Sequence, residues 1–145
     1  MKIERQLTIN ATVDQVWDVL GHRFDKVDQW ASSVDRSTAR AGKPRIPGAP
    51  MVGRTCDTEL GPFKEAIIEF DEEQKILAYS ATGDKMPFFV QDLQNRWSLT
   101  AAPGSRTQVD MRMTAKLSFP FTMPKAWNST FLYTLLAQKV MWSSL

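Results

Sequence analysis

The chain has 145 residues, of which 43% are hydrophobic and 23% charged, with a formal net charge of +2. That length suits one domain able to bury about 70% of the surface its unfolded form exposes, and the composition excludes a disordered or fibrous polymer. The small net charge excludes a generic nucleic-acid binder; one cysteine, Cys56, and one histidine, His22, exclude a disulfide framework and a zinc cluster.

The opening residues, from Met1 to Ile9, carry neither the apolar core nor the small-residue cleavage site of a secretory signal. No run reaches the roughly 20 apolar residues that a bilayer crossing needs. The expectation is a soluble, cytoplasmic protein without an integral membrane segment. Ile3, Arg5, Leu7 and Ile9 alternate with polar neighbours, which predicts a first strand. Thr12 with Gln15 makes a capping box, and Val13, Val16, Trp17 and Leu20 follow at helical spacing until Gly21. Phe24, Val27 and Trp30 recur every three residues and predict a second short helix.

Strands follow. Val34 to Arg40 reads as an edge-like strand, and the Pro- and Gly-rich stretch 42–53 as a loop. Arg54 to Leu60 and Phe63 to Phe70 flank Gly61-Pro62, a hairpin signal. With those two residues as the turn, Thr58 opposes Glu65 and Cys56 opposes Ile67. One face then carries Arg54, Cys56, Thr58, Glu65, Ile67 and Glu69. After the polar turn 71–74, Lys75 to Thr82 is another strand, and Phe88 to Ala101 a long one. Along it Phe89, Gln91, Leu93, Asn95, Trp97 and Leu99 share a face opposite Asp92, Gln94, Arg96 and Ser98. In the last strand Thr107, Val109, Met111, Met113, Ala115 and Leu117 share one. Such alternation marks antiparallel sheet with one covered face. Pro124 opens a final helix towards Leu145, carrying Trp127, Phe131, Leu135 and Trp142. The class is α+β, with the last helix the only element long enough to cover a curved sheet.

This order, with Ile9 to Trp17, Trp30, Gly53-Arg54, Lys64-Glu65 and Glu69-Phe70-Asp71, resembles the SRPBCC superfamily, the START-like helix-grip fold. Within it the chain looks like the polyketide cyclase/dehydrase and lipid-transport type. The resemblance covers nearly the whole chain and rests on the order and spacing of motifs that are individually weak. It implies a single domain over 1–145. A curved antiparallel sheet of about six to seven strands would wrap a long C-terminal helix, with two short helices after the first strand. A hydrophobic cavity between sheet and helix would hold a small apolar or amphipathic ligand. No cofactor is implied. The final helix departs from a single stripe: Phe131, Leu132, Tyr133, Leu135, Leu136, Val140, Met141 and Trp142 surround it. Either its far side packs under loops or it meets a partner chain, and the latter motivates an expectation of homodimerisation.

Several residues stand out against that cavity. Gln91 and Asn95 are amides on a covered face, where each needs a partner or costs about 1–3 kcal/mol; a ligand, a water or a neighbouring backbone group could supply it. Arg54 and Glu65 fall where family members tend to place an Arg and a Glu. A buried guanidinium could orient a carboxylate or enolate, whereas on the outer face the two would be a plain surface ion pair. Tyr79 is a cavity donor or an ordinary strand aromatic. Trp97, Met111, Met113, Phe131 and Leu135 would line the apolar wall. Cys56 reads as a small core residue, and His22 as a solvated turn residue. Arg36, Arg40, Lys43, Arg45 and Arg54 fall in an acid-free stretch, a solvated loop or a docking patch for an anionic headgroup, carrier protein or membrane surface.

The leading expectation is a carrier or sensor that binds a small hydrophobic ligand. The alternatives are a cyclase, aromatase or dehydratase acting on a polyketide-like carbonyl compound, and a partner-binding module that uses the final helix.

Overall fold

A computed structural model describes residues 1–59 and 61–118. The predicted final helix, with Phe131 and Leu135, lies outside the described residues. Seven strands form one antiparallel sheet: β1 Lys2–Ile9, β2 Val34–Ala39, β3 Gly53–Thr58, β4 Gly61–Asp71, β5 Ile76–Gly83, β6 Val90–Ala102 and β7 Arg106–Leu117. Their spatial order is β1-β7-β6-β5-β4-β3-β2, so every neighbour beyond β1 is also a chain neighbour. The single long jump brings β1 beside β7, with Ile3 opposite Met113 and Ile9 opposite Thr107.

Between β1 and β2 the chain forms α1, Val13–Trp17, then a π-helical turn at Asp18–His22 and a 3-10 segment at Phe24–Gln29. The capping box is present: Gln15 N–H donates to Thr12 Oγ1 at 3.4 Å, and Thr12 N–H to Gln15 Oε1 at 3.0 Å. The helix runs past Gly21 to His22 instead of stopping there. Val16, Trp17, Leu20 and Phe24 point into the main core with Leu77, Tyr79, Trp97 and Met111. Phe63, Leu93, Met113 and Ala115 form a second apolar cluster on the same sheet.

Two features of the sheet differ from the pattern expected. The first is the β3–β4 turn. Thr58 pairs with Gly61 and Arg54 with Glu65, so Gly61-Pro62 already belongs to β4 instead of forming the turn. Gly61 enters the strand at φ 93°, a conformation that glycine reaches without a Cβ clash. Pro62 sits before the first β5 partner of this strand, the Phe63–Gly83 pair, so no rung to β5 needs its missing N–H.

The second is a pair of bulges. Ile67 pairs with Tyr79 and Glu69 with Ala78, leaving Ile68 as an extra residue in β4. Val90 pairs with Leu117 and Asp92 with Lys116, leaving Gln91 extra in β6. An inserted residue reverses the in–out alternation beyond it. Glu69 therefore lies on the outer face, where Arg96 grips both its oxygens at 2.8 and 3.3 Å. Gln91 is exposed, while Phe89 and Val90 are both buried. Glu69 thus does not share the face of Arg54 and Glu65 expected for it, and Gln91 does not belong to the covered face expected for it.

Candidate functional site

The inner face of the sheet carries the polar residues. Ile67, Tyr79, Asn95 and Met113 form one line across β4, β5, β6 and β7; Trp97 stands beside it, between Leu77 and Met111. Tyr79, Asn95, Trp97, Met111 and Met113 are all buried. Gly53 lets the sheet close tightly beside them, because a Cβ there would lie 2.0 Å from the Glu65 carbonyl oxygen. Arg54 and Glu65 consequently face each other under the 3-10 segment.

Arg54 is a buried clamp. Its Nε donates to Glu65 Oε2 at 2.5 Å and its Nη1 donates to the Phe24 carbonyl at 2.6 Å. The guanidinium lies 3.8 Å above the Phe24 ring centre and 5.4 Å from that of Tyr79. Both charged side chains are 6% exposed, so this is not a surface ion pair. Burial is the largest influence and opposes the charge on Arg54, but Glu65, with smaller contributions from Tyr79 and Cys56, outweighs it and holds the guanidinium above its usual range. Burial lifts the Tyr79 hydroxyl well above its ordinary value, with Glu65 adding to the effect. Cys56, 3.7 Å from Ser37 Oγ, is raised by burial to about 11.

The space around the clamp is small. Two voids of about 10 Å³ each adjoin Arg54, Tyr79, Trp30 and Trp97. Each has room for one water or one hydroxyl and not for a whole guest. Among the described residues no larger hollow opens beside the guanidinium, and Arg54 is part of a packed wall.

Trp30 and Trp97, which line both voids, and Asn95, two residues before Trp97 on β6, carry unsatisfied polar atoms, as does Asp28. Asn95 Oδ1, Trp97 Nε1, Trp30 Nε1 and Asp28 Oδ1 are buried and find no hydrogen-bond partner among the described residues. The two indoles meet edge to face, with ring centres 6.2 Å apart. Native interiors leave few such atoms, and each is a place where an acceptor or donor is owed. Trp30 and Asp28 were not among the expected site residues. The three-residue spacing of Phe24, Val27 and Trp30 signalled a buried stripe, but it carried no sign that the indole N–H would lack a partner. His22 sits apart at the surface, its Nε2 2.9 Å from Glu72 Oε2.

A family model for polyketide cyclase / dehydrase and lipid transport matches residues 1–140. No curated protein sequence matches the chain significantly. Solved structures share the fold at low identity. A Thermobifida fusca protein is 18% identical with a TM-score of 0.68, covering 96% of this chain and 84% of its own. A START superfamily protein from Mycobacterium smegmatis is 13% identical with a TM-score of 0.65, covering 86% and 83%. A Thalictrum norcoclaurine synthase point mutant, solved with a transition-state analogue, is 13% identical with a TM-score of 0.63, covering 81% and 76%. At these identities the likeness is one of fold. The chain belongs to the polyketide cyclase/dehydrase and lipid-transport family of the START-like SRPBCC superfamily, a fold family that binds small hydrophobic ligands.

Proposed function

We propose that the protein binds a small, mostly apolar molecule on the inner face of its sheet, as a carrier or sensor. The observation that carries this reading is the set of unpartnered polar atoms, Asn95 Oδ1 with the indole N–H groups of Trp97 and Trp30. A hydroxyl-type group on the ligand can donate to the amide oxygen and accept from an indole, removing penalties of about 1–3 kcal/mol per atom. Its apolar body would lie along Leu93, Met111 and Met113, the face that family members cover with their final helix. Arg54, Glu65 and Tyr79 act here as the rigid wall behind the ligand, and Gln91, being exposed, has no part in it.

Binding is favoured over acid–base catalysis by the state of the titratable groups. Arg54 stays charged and paired, Tyr79 is held protonated by burial, and the Cys56 thiol stays protonated at neutral pH. None is poised to exchange a proton near pH 7. The second reading, a cyclase, aromatase or dehydratase, draws on the family description and on the Tyr79–Arg54–Glu65 network. Turnover of a polyketide-like carbonyl compound that is lost in Tyr79→Phe with the fold intact would establish it.

Native mass spectrometry of protein from its source cells tests the binding reading. The expected result is a folded ion carrying an apolar small molecule, released on denaturation and diminished in Asn95→Leu. A bare polypeptide mass in both would count against it. Self-association through the final helix is a separate proposal, and a monomeric mass by sedimentation at micromolar concentration would dismiss it.

A further inference from the structure

The acid-free stretch around the 42–53 loop resolves into three parts. Arg54 is turned into the core, and Arg36 pairs with Asp57 at 2.8 Å. Arg40, Lys43 and Arg45 remain, and all three line a surface groove of about 700 Å³ between the loop and β4. That size is within the range of small-molecule sites.

The groove is amphipathic. Ile46, Val52 and Ile68 supply its apolar lining. Ile68 is the extra residue of the β4 bulge and is 39% exposed, an unusual position for a large aliphatic side chain. Arg40 is held in place by donating to the Glu65 carbonyl at 3.3 Å. The two nearest acids of β4 are both engaged elsewhere, Glu65 with Arg54 and Glu69 with Arg96. Among the described residues no carboxylate pairs with Lys43 or Arg45. The groove shares no lining residue with the voids beside Arg54.

We propose that this groove is a second binding site, for a single amphipathic anion. A phosphate or carboxylate head is held by Arg40, Lys43 and Arg45, and a short alkyl chain lies on Ile46, Val52 and Ile68. A concave groove with its cations on the loop side suits one molecule better than a bilayer, whose binding needs an apolar face that can be buried in the membrane interface. The head alone gains charge-assisted hydrogen bonds and the chain alone gains burial, so affinity requires both.

The test is a titration with n-octyl phosphate below its micelle concentration, followed by methyl and indole NMR. The Ile46, Val52 and Ile68 methyl resonances should shift saturably, whereas orthophosphate or n-octanol alone should bind about tenfold more weakly or worse. Lys43→Gln/Arg45→Gln changes only exposed side chains and should also weaken binding by about tenfold. Ile68→Ser, a second variant in the same groove, should weaken octyl phosphate but not orthophosphate. Shifts confined to the Trp30 and Trp97 indoles, insensitivity to both variants, or binding to phosphatidylglycerol vesicles without binding to octyl phosphate would each overturn the proposal.

Discussion

Arg54 stands directly opposite Glu65 across β3 and β4, its Nε 2.5 Å from the carboxylate, while its Nη1 fastens the Phe24 carbonyl to the sheet. One guanidinium thus joins two strands to the short helical segment that brings Trp30 over Trp97.

Removing one partner of a buried ion pair strands the other charge. Arg54→Met should therefore lower stability by about 3–5 kcal/mol, read by denaturant unfolding. Arg54→Met with Glu65→Leu should recover much of that loss, since no unpaired charge remains. Equal destabilisation by the single and double variants would show that packing, and not charge pairing, dominates this wall.

Asn95 makes the opposite prediction. Its buried Oδ1 has no partner among the described residues, so Asn95→Leu should stabilise the unliganded protein by about 1 kcal/mol while reducing ligand retention. Paired measurements of the unfolding midpoint and of co-purified ligand check both halves. A destabilised variant with unchanged retention would mean that the amide is a structural element only.

Glu72 governs an acid-sensitive contact. The Trp17 indole N–H at 2.8 Å, with His22 and Lys75, lowers its carboxyl from the usual 4.5 to about 2. A depressed pKa contributes stability above about pH 4.5, and that contribution fades as pH falls through about 2. Half-exposure of the side chain limits it to below about 1 kcal/mol. Glu72→Gln should flatten the pH dependence of stability in that window, as followed by thermal unfolding.

Cys56 should be slow towards thiol reagents. Its thiol is buried and raised to about 11, so little thiolate exists at pH 8. Ellman's reagent should modify the native protein about a hundredfold more slowly than the unfolded chain. Comparable rates would place the thiol at the surface.

The sheet was legible in the sequence wherever alternation ran unbroken. Leu93, Asn95 and Trp97 in β6, and Val109, Met111 and Met113 in β7, face inward as their spacing implied. The β3–β4 turn was misplaced, because Gly61-Pro62 has turn composition yet enters β4. The error shifted Thr58 from Gly61 to Glu65, four residues and hence an even number, so Arg54 and Glu65 stayed on a common face. Gln91 and Glu69 were misassigned because a bulge leaves no mark in composition; one inserted residue reverses every side chain past it. The unpartnered state of the Trp30 indole was equally invisible, since it depends on which groups several distant elements bring near.

The indole N–H resonances of Trp30 and Trp97 test the central claim most directly. On adding an apolar extract of the source cells to the labelled, ligand-free protein, both should move saturably as their empty donors gain an acceptor. The Trp17 indole, buried and already bonded to Glu72, should hold still. Unmoved Trp30 and Trp97 signals, in a preparation whose native mass also carries no small molecule, would contradict ligand binding on this face.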